Sequence, residues 1–158
     1  MPKVELPEAE LVRGAYTLRV MDLPPQVSLT KRSMLRWFAL AFGLISAQES
    51  RSTILDVLDT LFHHQFTKKT EPTSADLQAY LKSKGKPVSD KLLLYHLKRL
   101  QDNGLLQRKK GKYCFCSDPY ADKGDVAAGF KATVATGVQR SLNDIQSVLG
   151  KLADSYKR

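Results

Sequence analysis

The chain has 158 residues, 42% of them hydrophobic and 26% charged, which suits one globular domain with appended helices. Its net charge of +9 and pI near 9.6 favour polyanionic partners, meaning nucleic acid or an anionic membrane surface. The longest apolar run, residues 37–45, is too short for a membrane-spanning helix, and the acidic, proline-containing start does not suit a signal peptide.

The N-terminal part of the sequence predicts an arm followed by an apolar helix. Residues 1–28 are expected to be extended, and Ala15–Met21 alternate weakly, as a short strand does, before Pro24 and Pro25. Residues 29–45 predict a helix that is apolar nearly all round, so we expect it to be buried in the fold or against a partner chain rather than to line a ligand pocket.

Three further helices are indicated by their start and stop signals. Residues 46–49 have the form of a capping box, which predicts a helix running to about Phe66. Residues 73–76 give a second start, for a helix that Gly85 ends. Ser89 is the expected N-cap of the third helix and Gly104 its stop.

A hairpin and a long helix complete the predicted elements. The strands are expected at Leu105–Lys109 and Lys112–Cys116, with Lys110 and Gly111 as a two-residue turn. After a connector, roughly the last 35 residues predict one helix whose apolar positions recur at spacings of three and four, as in a coiled-coil seam. These positions are Val126, Phe130, Val134, Val138, Leu142, Ile145, Leu149, Leu152 and Tyr156.

The positive charge is concentrated around the third helix and the hairpin. Residues 82–112 contain ten Lys and Arg side chains and two Asp side chains, so this window carries +8 of the total +9. Three of these cations, Lys82, Lys84 and Lys86, fit an ordinary solvated surface. The combination of charge, spacing and element order in the rest favours nucleic-acid binding.

Residues 73–106, TSADLQAYLKSKGKPVSDKLLLYHLKRLQDNGLL, resemble the core of winged helix-turn-helix regulators of bacteria and archaea. The resemblance covers roughly residues 50–116 and rests on Ser89, His96–Leu100, the Gly104-Leu105 pair and the basic stretch Arg108–Lys112. It implies a mainly α fold with a small β-hairpin, a winged helix-turn-helix, and it implies DNA binding.

Helical geometry supports this interpretation independently. At about 100° per residue, Leu93, Leu97 and Leu100 share one side of the third helix, with His96 at its edge. Lys91, Tyr95, Lys98 and Asp102 lie opposite, where Lys and Tyr side chains suit the major groove. The candidate DNA-binding residues are Ser89, Lys91, Tyr95, Lys98, Arg99, Arg108, Lys109, Lys110 and Lys112.

Two leucines keep other interpretations open. Leu92 and Leu94 flank the candidate groove-facing stripe, where solvent-facing leucines suit thymine methyl groups or a protein interface. A winged-helix module that binds a partner protein is therefore one alternative to a DNA-binding regulator. RNA binding through the same basic surface is another.

No catalytic set, glycine-rich phosphate loop or metal-ligand spacing is evident in the sequence. Cys114 and Cys116 are two residues apart, and strand packing is favoured over a zinc site completed by His63 or His64. We therefore expect neither an enzyme nor a bound cofactor or metal. The cysteine usage suits a reduced, cytoplasmic setting.

Three regions follow from these elements: an arm and apolar helix at 1–45, a winged helix-turn-helix at 46–116, and a dimerisation helix at 117–158. We expect a homodimer in which the apolar helix at 29–45 and the C-terminal helix build the interface. Double-stranded DNA is the expected partner, and a membrane is not.

Overall fold

The computed structural model describes residues 7–48 and 52–158. The chain is mainly helical, with one two-stranded antiparallel sheet, which confirms the predicted mainly α class with a hairpin. Within the described ranges, no helix is both long enough and apolar enough to cross a bilayer.

The N-terminal region contains short 3₁₀ turns at Glu8–Leu11 and Pro25–Leu29, and residues 12–24 have no regular secondary structure. The suggested strand at 15–21 was therefore wrong. This segment is instead tied to the end of the first helix, where the Arg19 amide donates to the carbonyl of Ala41. An isolated stretch of this kind has no neighbouring strand with which to form a ladder.

The apolar helix, α1, spans Lys31–Ala41, so it is shorter than the predicted 29–45. Thr30 caps it by accepting a hydrogen bond from the Ser33 amide. Residues 42–45 leave the helix as a buried turn in which Gly43 has φ +71°. A Cβ atom on Gly43 would lie 2.6 Å from the Thr17 carbonyl oxygen, so glycine permits both the turn and the close approach of the arm.

The next helix, α2, spans Thr53–Phe62 and continues as a π-helical turn at His63–Thr67. The predicted end near Phe66 is confirmed, whereas the predicted start at residues 46–49 is not. Residues 46–48 are not helical, and Glu49 lies outside the described residues. Ser52 occupies the N-cap position.

The next two helices follow their sequence signals closely. Helix α3 spans Ser74–Ser83 and opens with a complete capping box between Thr73 and Asp76. Helix α4 spans Asp90–Asp102 and is capped by Ser89, whose hydroxyl accepts from the Leu92 amide. Gly104 follows α4 with φ +75°, as predicted for a helix stop.

The hairpin pairs β1, Leu106–Lys109, with β2, Lys112–Phe115, in antiparallel register. Lys110 and Gly111 form the predicted two-residue turn, with φ +53° and +77°. Two positive φ values define a type I′ turn, whose twist matches that of the flanking strands. The second strand ends one residue before the predicted Cys116.

The C-terminal helical run consists of α5, Val126–Phe130, a π-helical turn at Lys131–Ala135, and α6, Thr136–Tyr156. Val126, Phe130, Val134 and Val138 pack against the core, whereas the apolar stripe of α6 beyond them is exposed. The core is one cluster that draws residues from α1 through to Val134, across the region boundaries expected at 45 and 116.

Candidate nucleic-acid interface

Helix α4 divides into the buried and exposed sides expected from its sequence. Leu93, Leu97 and Leu100 are fully buried against α2 and α3, and they fix the rotation of the helix about its axis. Tyr95 is 59% exposed. The side chains of Lys91, Lys98 and Asp102 are also exposed, so the predicted stripe faces solvent.

The start of α4 is held in place by polar contacts. The Ser89 hydroxyl accepts from the Leu92 amide at 3.2 Å, and Asp90 accepts from the Gln78 side-chain amide at 2.8 Å. The second bond joins α3 to the first turn of α4, so the two helices share a fixed geometry at this end. The remaining free amides at the helix start add to its affinity for anions.

Arg99 does not belong to the exposed stripe. Its guanidinium donates to the carbonyl oxygens of Leu44 at 2.9 Å and Gly43 at 3.0 Å. These carbonyls belong to the turn that follows α1, where a cation offsets unpaired acceptors. The structure thus gives Arg99 a role in joining α4 to α1, and we remove it from the set of candidate contact residues.

The hairpin is anchored by side chains at its base and by hydrogen bonds along one edge. Leu106, Tyr113 and Phe115 are buried. The Tyr113 amide donates to the carbonyl of Pro72 at 2.8 Å, and Thr73 forms an isolated bridge with Lys112. The hairpin is therefore attached to the loop that leads into α3, and its position relative to the helices is fixed.

Cations crowd the tip of this anchored hairpin. Arg108, Lys109, Lys110 and Lys112 are all exposed. Lys109 and Lys112 are directly opposite each other in the register, and Lys110 occupies the turn. Like charges placed opposite each other across a hairpin destabilise it, and a polyanion bound at the tip would relieve that repulsion.

The loop before α3 adds two cations that the sequence interpretation treated only as part of a polar loop. Lys68 and Lys69 precede Pro72 and Thr73, the residues that bind β2. Lys69 adopts a left-handed conformation with φ +57°, and both side chains are exposed. The sequence signal was the paired lysines themselves. The hydrogen bond at Pro72 attaches their loop to the hairpin, and the ammonium group of Lys68 lies 5.8 Å from the centre of the Tyr80 ring.

The cations between α3 and α4 are partly engaged within the protein. Lys86 forms an ion pair with Asp56 at 3.2 Å, and the ammonium group of Lys84 lies 5.5 Å from the centre of the Tyr80 ring. This arrangement supports the interpretation of Lys82, Lys84 and Lys86 as a solvated surface, in which Lys84 and Lys86 have local partners.

His96, Cys114 and Cys116 are packed among other residues of the fold. Burial lowers the pKa of His96, and nearby Arg99 lowers it further. Partial burial raises the pKa of the Cys116 thiol, and nearby Cys114 raises it further; the Cys114 sulfur accepts from the Gln107 side chain at 3.2 Å. Among residues 7–48 and 52–158, no three His, Cys, Asp or Glu side chains converge as a metal site would require.

Comparison with known proteins identifies no matching family model, no matching curated protein and no matching solved structure.

Proposed function

We propose that this protein is a winged helix-turn-helix transcriptional regulator that binds double-stranded DNA. The observation that carries the proposal is the hairpin tip, where four exposed cations stand on a buried, hydrogen-bonded base close to the start of α3. The solvated Lys and Tyr stripe of α4 supports it. In this proposal α4 is the recognition helix and the hairpin is the wing.

The two surfaces would perform different tasks. Lys91, Tyr95 and Lys98 would enter the major groove, where Tyr and Lys can reach base edges or phosphates. The wing cations, with Ser89 at the start of α4, would bind the phosphate backbone and orient the protein on the duplex. The activity is binding alone, with no catalytic step, cofactor or metal.

The regulator would act as a homodimer in the cytoplasm. Two recognition helices related by a two-fold axis would meet successive major grooves about 34 Å apart. The free state of Cys114 and Cys116 fits a reducing compartment.

Titration with duplex DNA at two salt concentrations tests the proposal. We expect affinity to fall steeply with salt, because each phosphate contact releases counterions. Competition with RNA of the same sequence distinguishes the two nucleic acids. Absence of binding at low salt would refute nucleic-acid binding, and preferential competition by RNA would refute the DNA assignment.

A protein-interaction module is the second candidate, because Leu92 and Leu94 of α4 are 39% and 49% exposed. Exposed leucines beside a helix stripe fit an apolar partner surface as well as thymine methyl groups. Replacing both by serine separates the two: a DNA-binding helix would lose its preference among sequences, whereas an interaction module would show no DNA affinity in either form.

A further inference from the structure

Helix α6 carries an apolar stripe that nothing covers within the described residues. Ile145 and Leu149 are 63% and 65% exposed, and the other members are similarly open to solvent. The stripe repeats at alternating spacings of three and four, the pattern that keeps one side of a helix facing a partner. Its members are Leu142, Ile145, Leu149, Leu152 and Tyr156.

The positions that flank this stripe on α6 are uncharged, so covering the stripe requires no desolvation of charge. They are Ser141, Gln146, Val148, Ala153 and Ser155. The charged side chains Arg140, Asp144, Lys151 and Asp154 lie at the remaining positions of the helix, away from the stripe. A buried charge would cost far more than a buried serine or alanine, so the stripe and its flanks are suited to a dry interface.

A second uncovered apolar surface lies on the body of the same chain. It is a groove of about 1100 Å³ between the arm, α1, the end of α2 and α5. Seven aromatic side chains contribute to its walls: Trp37, Phe38, Phe42, Phe62, Phe66, Tyr80 and Phe130. Charged side chains, Arg19, Lys31 and Asp59, also line it. Met34, at the exposed side of α1, is 44% exposed and also lines the groove.

The groove cannot be filled by α6 of its own chain while the helical run stays intact. Phe130 forms part of the groove wall, and the run from Val126 to Tyr156 is helical throughout. Leu149 lies 19 residues beyond Phe130, which places it roughly 28 Å away along the helix. The stripe therefore lies outside its own groove, in agreement with its exposure.

We propose that the α6 stripe of each molecule seats in the aromatic groove of a second copy, so that two chains exchange their C-terminal helices reciprocally. This inference deepens the homodimer of the proposed function and rests on it, but it does not require that the protein bind DNA. The exchange is isologous, because each copy presents the same stripe and the same groove to the other.

The sizes of the two surfaces agree. A helix about 10 Å wide fills 1100 Å³ over about 14 Å, which is roughly nine residues of helix. Ile145 to Leu152, the centre of the stripe, spans eight residues. Two such contacts, counting both stripes and both grooves, bury on the order of 1,400 Å², which lies within the range of specific protein interfaces.

The test measures the mass of the full-length protein in solution over a range of concentrations, for the wild type and four variants. Leu149→Asp alters the stripe and Met34→Asp alters the groove, both at exposed positions. Ser147→Asp on α6 and Arg36→Asp on α1 are the matched controls, because both are exposed and neither belongs to the stripe or the groove. Circular dichroism and thermal melting confirm that each variant folds.

We expect the wild type and both controls to be dimers, and both test variants to dissociate at least about 100-fold more readily, because each places a charge in an apolar contact twice per dimer. A dimer weakened by Leu149→Asp but not by Met34→Asp would overturn the exchange and indicate that α6 pairs with its own copy. A wild type that stays monomeric at every concentration would overturn both the exchange and the homodimer. Neither result would bear on DNA binding, which is measured separately.

Discussion

Replacing Gly129 with alanine tests the contact that holds the C-terminal helical run against the hairpin. Gly129 lies in α5 and is buried. A Cβ atom at this position would overlap the carbonyl oxygen of Cys116 and would lie 2.7 Å from its carbonyl carbon. Both are backbone atoms directly after β2, so no side-chain rotation can relieve the overlap.

The expected effect is the difference between two opposing terms. Relieving the overlap requires a backbone shift of about 1 Å or more, and overpacking of this kind costs about 3 kcal/mol at the upper end of its usual range. Alanine gains about 1 kcal/mol over glycine from its helix propensity. We therefore expect Gly129→Ala to lower the free energy of unfolding by about 2 kcal/mol.

Two glycines in the same helical run provide matched controls. Cβ atoms built at Gly137 and Gly150 meet nothing within 4 Å, so only the propensity term remains. We expect Gly137→Ala and Gly150→Ala each to raise the free energy of unfolding by about 0.5–1 kcal/mol.

Urea unfolding, monitored by circular dichroism with all variants at one protein concentration, measures the three effects. If Gly129→Ala raised the free energy of unfolding as much as the controls do, the close approach of α5 to residue 116 would be refuted. Destabilisation by all three substitutions would instead refute the helical conformation of the run.

Three further predictions concern the proposed recognition surface. Lys109→Ala combined with Lys110→Ala should weaken binding to every duplex and reduce the slope of log affinity against log salt by about 1.8, whereas Lys151→Ala should leave the slope unchanged. Tyr95→Ala should change the ratio of affinities for different sequences by about tenfold; an equal loss for all sequences would exclude a base-reading role. His96 has a lowered pKa in the folded state and a buried Nδ1 without a hydrogen-bond partner among the described residues, so protonation opposes folding. The contribution of the neutral side chain to stability is present above the ordinary histidine pKa of 6.5 and is lost as the pH falls below it, so the free energy of unfolding of the wild type should fall relative to that of His96→Leu from pH 7.5 to pH 5.5. A difference in unfolding free energy between the two proteins that does not change with pH would contradict the lowered pKa of His96.

Local signals predicted the central part of the fold well. The capping box at Thr73, the N-cap at Ser89 and the stop at Gly104 act within one turn of helix, so their effect is readable from neighbouring residues. The same holds for the turn at Lys110 and Gly111, where two residues set both the twist and the register of the hairpin. The buried side of α4 followed from helical spacing alone.

Signals that depend on tertiary contacts were missed or misjudged. Residues 42–45 are as apolar as a helix continuation would be, yet they leave α1 because Gly43 and the approach of Thr17 favour a turn. Arg99 follows Lys98 in a basic segment, and only the position of the turn after α1 shows that its guanidinium binds carbonyl groups there. The loop that carries Lys69 is another example, because its attachment to the hairpin depends on the hydrogen bond between Tyr113 and Pro72.

The distribution of burial and charge in the hairpin explains how a repulsive tip can persist. Two lysines about 5 Å apart in water repel each other by about 1 kcal/mol, which is within the stability that a single buried aromatic side chain supplies. Tyr113 and Phe115 supply that burial at the base of β2, and the bridge at Thr73 fixes the strand edge. The hairpin that carries the cations is thus held in place mainly by its buried base, with the backbone bridge at Lys112 and the guanidinium of Arg108, 5.7 Å from the centre of the Tyr113 ring, as further contacts. A bound polyanion would remove the repulsion without altering the base, so the hairpin can be rigid before binding and become more stable on binding.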